Sequence, residues 1–248
     1  MCLLALFFRV AEDAPVVVGA NREEAYDRPG EPPQILQAGP CRFVGGLDPK
    51  AGGTWLGVNE HGVLVAVTNR RKTQEPPAPR SRGLLARDLL ACPSAAAAAD
   101  LATRELDTNR YAGCNFLCAD AERAVVLHGG DWLRVRPLPP GLHILANGDV
   151  NDGSEPRVGH VLWWLHQRGY SRSEDCLEAL REVCGQTGGP SPPVCVRGKG
   201  RGTVSSSLIA LRHPLAESTY LHAQGPPDRT PYEDCSDLLR QFAAPRTR

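Results

Sequence analysis

Short apolar runs separated by turn residues dominate the chain. Residues 3–9 are apolar up to Arg9, turn at Glu12, Asp13 and Ala14, and resume at 15–18, which predicts a hairpin of two buried strands. Residues 54–58 and 63–67 flank a turn at 59–62 and predict a second hairpin. The β pattern continues at 113–119, 124–128, 132–135 and 142–146, and again at 194–197, 203–211 and 218–222. Helices are predicted in the middle: 84–90, an Ala-rich stretch over 94–106, and 157–167 with Val158, Val161, Leu162 and Leu165 at helical spacing. Ser171 and Glu174 have the spacing of a capping box, ahead of a stripe formed by Cys176, Leu177, Leu180, Val183 and Cys184. Pro-rich stretches at 75–79 and 187–193 read as loops, and no internal repeat is present. Hairpins, then a helical block, then further strands predict a layered α+β fold in one domain over residues 1–248.

Composition narrows the partners. Lys plus Arg equals Asp plus Glu, 28 against 28, so the summed charge makes no case for nucleic acid or a membrane surface. No stretch approaches the roughly 20 apolar residues of a spanning helix. The apolar start has no basic residue before it and meets Arg9 early, which fits a buried strand and not a signal peptide. Nine cysteines, an odd count, show no Cys-x-x-Cys; Cys114 and Cys118 give only Cys-x3-Cys. Zinc and c-type haem signatures are therefore missing, no metal site is expected, and a reducing, cytoplasmic setting is the simplest reading.

Candidate chemistry gathers where apolar runs end. Cys2 opens the first predicted strand, and its small side chain suits removal of Met1. One residue would then hold a thiol nucleophile and an α-amino base with an ordinary pKa of about 8. Gly19, Ala20, Asn21, Arg22, Glu23 and Glu24 follow the second run, and a tight hairpin would set residues 20–24 beside Cys2. Arg22 can depress the thiol pKa and grip a carboxylate, and Glu23 or Glu24 can hold the ammonium or Arg22. A solvated turn with surface ion pairs fits the same pattern. Asn69 and Asn147 each follow an apolar run; their amides can donate to an oxyanion, and Asn is also a common turn former. Arg197, Gly198, Lys199, Gly200, Arg201 and Gly202 form a basic glycine loop that can wrap a phosphate or carboxylate, or serve as a flexible hairpin. It lacks the P-loop pattern, and Ser205, Ser206 and Ser207 lack the Gly-x-Ser-x-Gly elbow.

Several segments together resemble the NRDE family, the transport and Golgi organisation protein 2 family. They are Met1 and Cys2; Ala20 through Glu24 with Tyr26, Arg28 and Pro29; Gly52, Gly53, Thr54, Trp55, Leu56 and Gly57; and Thr68 with Asn69. Ser81, Arg82 and Gly83, Tyr111 with Cys114, Asn115 and Phe116, Ala146 with Asn147, and Arg201, Gly202 and Thr203 continue the series in the family's order. The name-giving Asn-Arg-Asp-Glu reads Asn21, Arg22, Glu23, Glu24 here, which keeps the charge but moves it one methylene outward. The family in turn is similar to the N-terminal-nucleophile hydrolases, in particular the cysteine branch with bile salt hydrolases and penicillin V acylases. By position, Cys2, Arg22, Glu23, Asn69, Asn147 and Arg201 match that branch, and the motif residues Asn21, Trp55, Thr68 and Arg82 are the implied substrate-binding positions. The resemblance implies an αββα four-layer sandwich and cleavage of a C–N or thioester bond through an acyl-Cys2.

Two uses of the scaffold follow from the resemblance. The first is a hydrolase or acyl transferase that needs no cofactor. In it Asn69 and Asn147 steady the oxyanion, and Arg22 and Arg201 bind an anionic substrate. The second is a non-catalytic carrier of haem or another apolar anion, in keeping with the links of eukaryotic members to haem trafficking and to acyl-CoA or lipid metabolism. Trp55 with Trp163 or Trp164 would wall its pocket, and a haem iron would need an axial ligand from seven His and nine Cys. In both, the partner is a small, apolar, anionic molecule.

Overall fold

The computed structural model describes residues 2–189 and 191–242. The strands in chain order are β1 (Leu3–Phe8), β2 (Val16–Ala25), β3 (Gln34–Ala38), β4 (Cys41–Gly45), β5 (Leu56–Asn59), β6 (Leu64–Asn69) and β7 (Cys114–Ala119). They continue with β8 (Ala124–Gly129), β9 (Leu133–Pro137), β10 (Gly141–Leu145), β11 (Arg201–Leu211), β12 (Thr219–Ala223) and β13 (Glu233–Asp234). The helices are α1 (Arg82–Leu89), α2 (Ala95–Asp107), α3 (Pro156–His166), α4 (Ser173–Cys184) and α5 (Asp237–Arg240). Contacts divide the chain into two compact units: residues 1–29, 140–146 and 150–248, and residues 30–139 and 147–149.

The first unit is built on an antiparallel sheet in the order β10-β1-β2-β11-β12-β13. Every residue of β1 is buried, with Leu3, Ala5 and Phe7 on the face that carries α3 and α4 and Leu4, Leu6 and Phe8 on the other. Burial of both faces is why the run reads as continuously apolar instead of alternating. The stripe of α4 packs on this sheet as predicted. Gly19 permits the approach, since a Cβ there would lie 3.0 Å from Leu180. The cap of α4 differs from the expectation. The helix starts at Ser173, and Asp175, not Glu174, accepts from the backbone of Ser171 at 3.2 Å and Arg172 at 3.0 Å. Residues 194–197, predicted as a strand, form an isolated bridge between Arg197 and Gly202 and a Thr203 N–H to Val196 O hydrogen bond at 2.8 Å, short of a strand. The N–H groups of Val194 and Cys195 both donate to Gln186 O, which ties the segment to the end of α4.

The second unit is an antiparallel sheet in the order β3-β4-β5-β6-β7-β8-β9. Leu85 and Leu89 of α1 and Ala95, Ala98 and Ala102 of α2 cover the face formed by Val65, Phe116, Cys118 and Leu127. The alanines let α2 lie close to the strands, each costing no side-chain entropy. β3 and β4 escaped the sequence reading, because β3 is a half-exposed edge with glutamines in its run. The Gly53 backbone lies against the Gly83 carbonyl where any side chain would collide, and Thr54 N–H donates to Gly83 O at 3.0 Å. That contact explains two glycines of the sequence motif as packing. No helix among the described residues is long and apolar enough to cross a membrane.

Candidate functional site

The polar motif after the first hairpin is part of a strand and not of a loop. β2 runs on to Ala25 because β11 continues the ladder to the Arg201–Ala25 pair, with an irregularity between Thr203 and Ser205. Leu3 pairs with Asn21, so Cys2 stands level with Arg22. Glu23 follows one residue beyond the level of Cys2. Burial, then the Glu23 charge, pushes the Cys2 thiol up, while the Glu23 backbone amide, the chain's terminal ammonium and Arg22 oppose them. Arg22 is 6% exposed, and its Nη1 donates to Arg28 O at 3.3 Å.

Neighbouring residues alternate across the strand. Asn21 turns toward α4 and donates from Nδ2 to Cys184 O at 2.9 Å and Val194 O at 3.1 Å. Glu23, 4% exposed, takes Arg157 Nη2 at 2.5 Å on Oε1 and Nη1 at 3.3 Å on Oε2. Burial pushes the Glu23 carboxyl up and Arg157 pulls it back down. The carboxylate of Glu23 grips Arg157 at the first turn of α3, a partner the sequence reading did not name. Arg201 opens β11 as an exposed side chain. The basic loop before it is closed by Gly198 N–H on Arg201 O and Tyr26 N–H on Gly200 O, both at 3.0 Å, and by an Arg197–Asp228 ion pair.

In the second unit, Asn69 ends β6 and Asn147 meets it. Asn147 Nδ2 donates to Asn69 O at 2.5 Å, while Asn147 Oδ1 is buried without a hydrogen-bond partner. A polar row, Thr68–Asn115–His128, crosses three adjacent strands in register. Asn115 donates to Thr68 Oγ1 at 3.2 Å and to Gly148 O at 3.2 Å, and its Oδ1 faces His128 Nδ1 at 2.8 Å. Arg70 donates to Gly148 O and to Asp149 Oδ1, both at 2.8 Å. These groups fix the 147–149 segment that carries Asn147. Burial, then the Arg70 charge, lowers the pKa of His128 to about 4, so the ring is neutral. Arg82 donates to Gly113 O at 2.8 Å. Trp55 packs its six-membered ring over Gly30 and Gly46. Within the first unit Trp163 is 62% exposed, and Trp164 packs against the core with Arg168 over its ring.

Sequence reasoning missed Arg157, Arg70, His128 and Asp149, and quoted Asn115 only as a motif residue without a role. Arg70 and Asp149 each stand within two residues of a strand-exit Asn, and that proximity was the available signal. Arg157 had none, since it is brought to Glu23 across 134 residues. Among the described residues no group of three or more His, Cys, Asp or Glu is placed to hold a metal ion. For haem, His128, His143, His160 and His166 each bond a ring nitrogen within the fold, and His222 bonds both. Among the described residues Cys2, Cys92 and Cys235 are the partly exposed thiols.

Comparison with known proteins places this geometry. The chain is 31% identical to the mouse Transport and Golgi organization 2 homolog over 140 residues, 53% of this chain and 50% of that protein. The match thus spans about half the length of the curated relative. Among solved structures, the Caenorhabditis elegans ortholog of N-acylethanolamine-hydrolyzing acid amidase superposes with a TM-score of 0.59 at 15% identity, over 97% of both chains. Penicillin V acylase from Agrobacterium tumefaciens superposes with a TM-score of 0.57 at 12% identity, over 96% of this chain and 88% of that one. The fold is therefore α+β, of the N-terminal-nucleophile hydrolase type, as the resemblance implied. The sequence model for Transport and Golgi organisation 2 matches residues 1–188, and the chain belongs to that family.

Proposed function

We propose that this chain is an N-terminal-nucleophile hydrolase or acyl transferase that opens an amide or thioester through Cys2. One observation carries the reading: Cys2 heads β1 level with Arg22 and next to the enclosed Glu23. The amide class is taken from the names of the two solved neighbours, an acid amidase for N-acylethanolamines and a penicillin V acylase.

The reaction is written for a chain from which Met1 has been removed. The Cys2 α-amine takes the thiol proton as the sulphur adds to the carbonyl carbon, and the carbonyl electron pair moves to oxygen. The pair returns as the C–N bond breaks, and the amine passes its proton to the leaving nitrogen. Water then adds to the acyl-Cys2 with the amine as base; the C–S bond breaks and the thiol recovers its proton. A base on the same residue suits this thiol. Its environment pushes it up, so little thiolate exists at neutral pH and the proton must leave during attack. Arg22 and Arg201 are the groups for an anionic substrate.

Cys2→Ala should abolish turnover of N-acyl amides and acyl thioesters while leaving the circular dichroism spectrum and melting point unchanged. Intact mass of the active protein should lack Met1. Turnover by the alanine variant, or full activity with Met1 in place, would sink the mechanism.

A further inference from the structure

Glu23 is an unusual neighbour for a nucleophile. It is an almost fully enclosed carboxylate one residue beyond the position level with Cys2, and its charge acts on the thiol. Left alone, its charge would oppose a thiolate beside it. Arg157 answers that charge in a fork, with one nitrogen on each carboxylate oxygen. The same Nη2 also reaches Val194 O at 3.3 Å, the carbonyl that accepts from Asn21 of the same strand. One guanidinium therefore ties α3, the segment after α4 and the end of β2 to a single point. Arg157 Nε is buried with no hydrogen-bond partner, an arrangement tolerated in exchange for placing both terminal nitrogens.

We infer that Arg157 is a positioning residue for Cys2: by clamping Glu23 from the far side of β2, it sets the reactivity of the thiol. The inference rests on the reading of Cys2 as the reactive group, but not on any particular substrate. The charged groups acting on Cys2 are Glu23, the chain's terminal ammonium and Arg22. Those acting on Glu23 are Arg157, the terminal ammonium and Arg201, with Glu155 and the Cys195 thiol also near it. Arg157 touches Glu23 and not Cys2, so its influence passes through the carboxylate. A lysine would keep the charge and lose the fork, which separates compensation from geometry.

The test is the pH profile of Cys2 alkylation by iodoacetamide, read by peptide mass mapping on full-length protein whose fold is checked by thermal melting. It needs no turnover, so a failed search for a substrate leaves it readable. Arg157→Gln should move the Cys2 midpoint upward and slow labelling at neutral pH by roughly tenfold, the equivalent of one pKa unit. Arg157→Lys should stay within about threefold of the parent, because the charge remains. The double variant Glu23→Gln with Arg157→Gln should return the midpoint to the parent value or below. A parent midpoint in folded Arg157→Gln overturns the inference, as does a raised midpoint that the double variant fails to correct. If Arg157→Gln does not fold, Glu23→Gln is compared with the double variant. Equal midpoints support the inference, since Arg157 then has no carboxylate to act through; a higher midpoint in the double variant overturns it.

Discussion

The two units hold polar groups at their strand ends in different ways. At the end of β2 the first unit encloses one ion pair, with the Arg157 and Glu23 side chains 12% and 3% exposed. In the second unit the Arg70–Asp149 pair is 15% and 31% exposed, and Arg134 joins the same carboxylate at 2.5 Å. An enclosed pair depends on each partner, because loss of one leaves an uncompensated buried charge. A wider and wetter network shares the load among Arg70, Arg134, Asn115 and His128. Burial of a charge therefore tells where a single substitution is least tolerated.

The largest difference is expected from removing one cation in each unit. Arg157→Gln should cost about 3–5 kcal/mol, since Glu23 is stranded. Arg70→Gln should cost about 1.5–3 kcal/mol, the value of charge-assisted hydrogen bonds with water at hand. Urea unfolding at neutral pH measures both, and equal costs would break the comparison.

Acid should separate the units next. His128 has its pKa lowered from 6.5 to about 4, so the unfolded chain takes the proton first. Its contribution is present above pH 6.5 and is lost as pH falls toward about 4. Glu23 runs the other way. Its folded pKa is raised above 4.5, so its contribution is complete below 4.5 and is lost as pH rises through the folded value. Urea midpoints taken from pH 7 to pH 4 should fall less in His128→Asn than in the parent, and less steeply in the parent than in Glu23→Gln. A parallel fall in His128→Asn would remove the ring from the account.

The smallest effect lies at the helix starts. Ser94 caps α2 by accepting from Ala97 N–H at 3.2 Å, and Asp175 caps α4. Ser94→Ala and Asp175→Ala should each cost about 1 kcal/mol. Thermal melting would show whether the charged cap of the first unit outweighs the neutral one of the second.

Much of the fold was legible in the chain. The first hairpin, the strands from β5 to β8 and the helices α2, α3 and α4 follow from apolar periodicity, because each buries a face whose spacing is that of its element. Legibility failed where burial is partial or borrowed. β3 lies at an edge, and residues 194–197 are shared between Gln186 and a short contact with the start of β11. The candidate site divides along the same line. Cys2, Arg22 and Glu23 are visible as a polar interruption next to buried strands, and the hairpin register that sets them side by side follows from a turn close in sequence.

The sequence by itself determined the family, the kind of fold and the nucleophile worth testing, since local pattern and a short motif suffice for each. Only the tertiary structure decided that Glu23 answers to Arg157, that Asn147 hangs from Asn69 O, and that Arg70 and Asp149 brace its segment. Those pairings join residues far apart in the chain. An ion pair or hydrogen bond is chosen by whichever group burial brings within about 3 Å, and no periodicity records that choice.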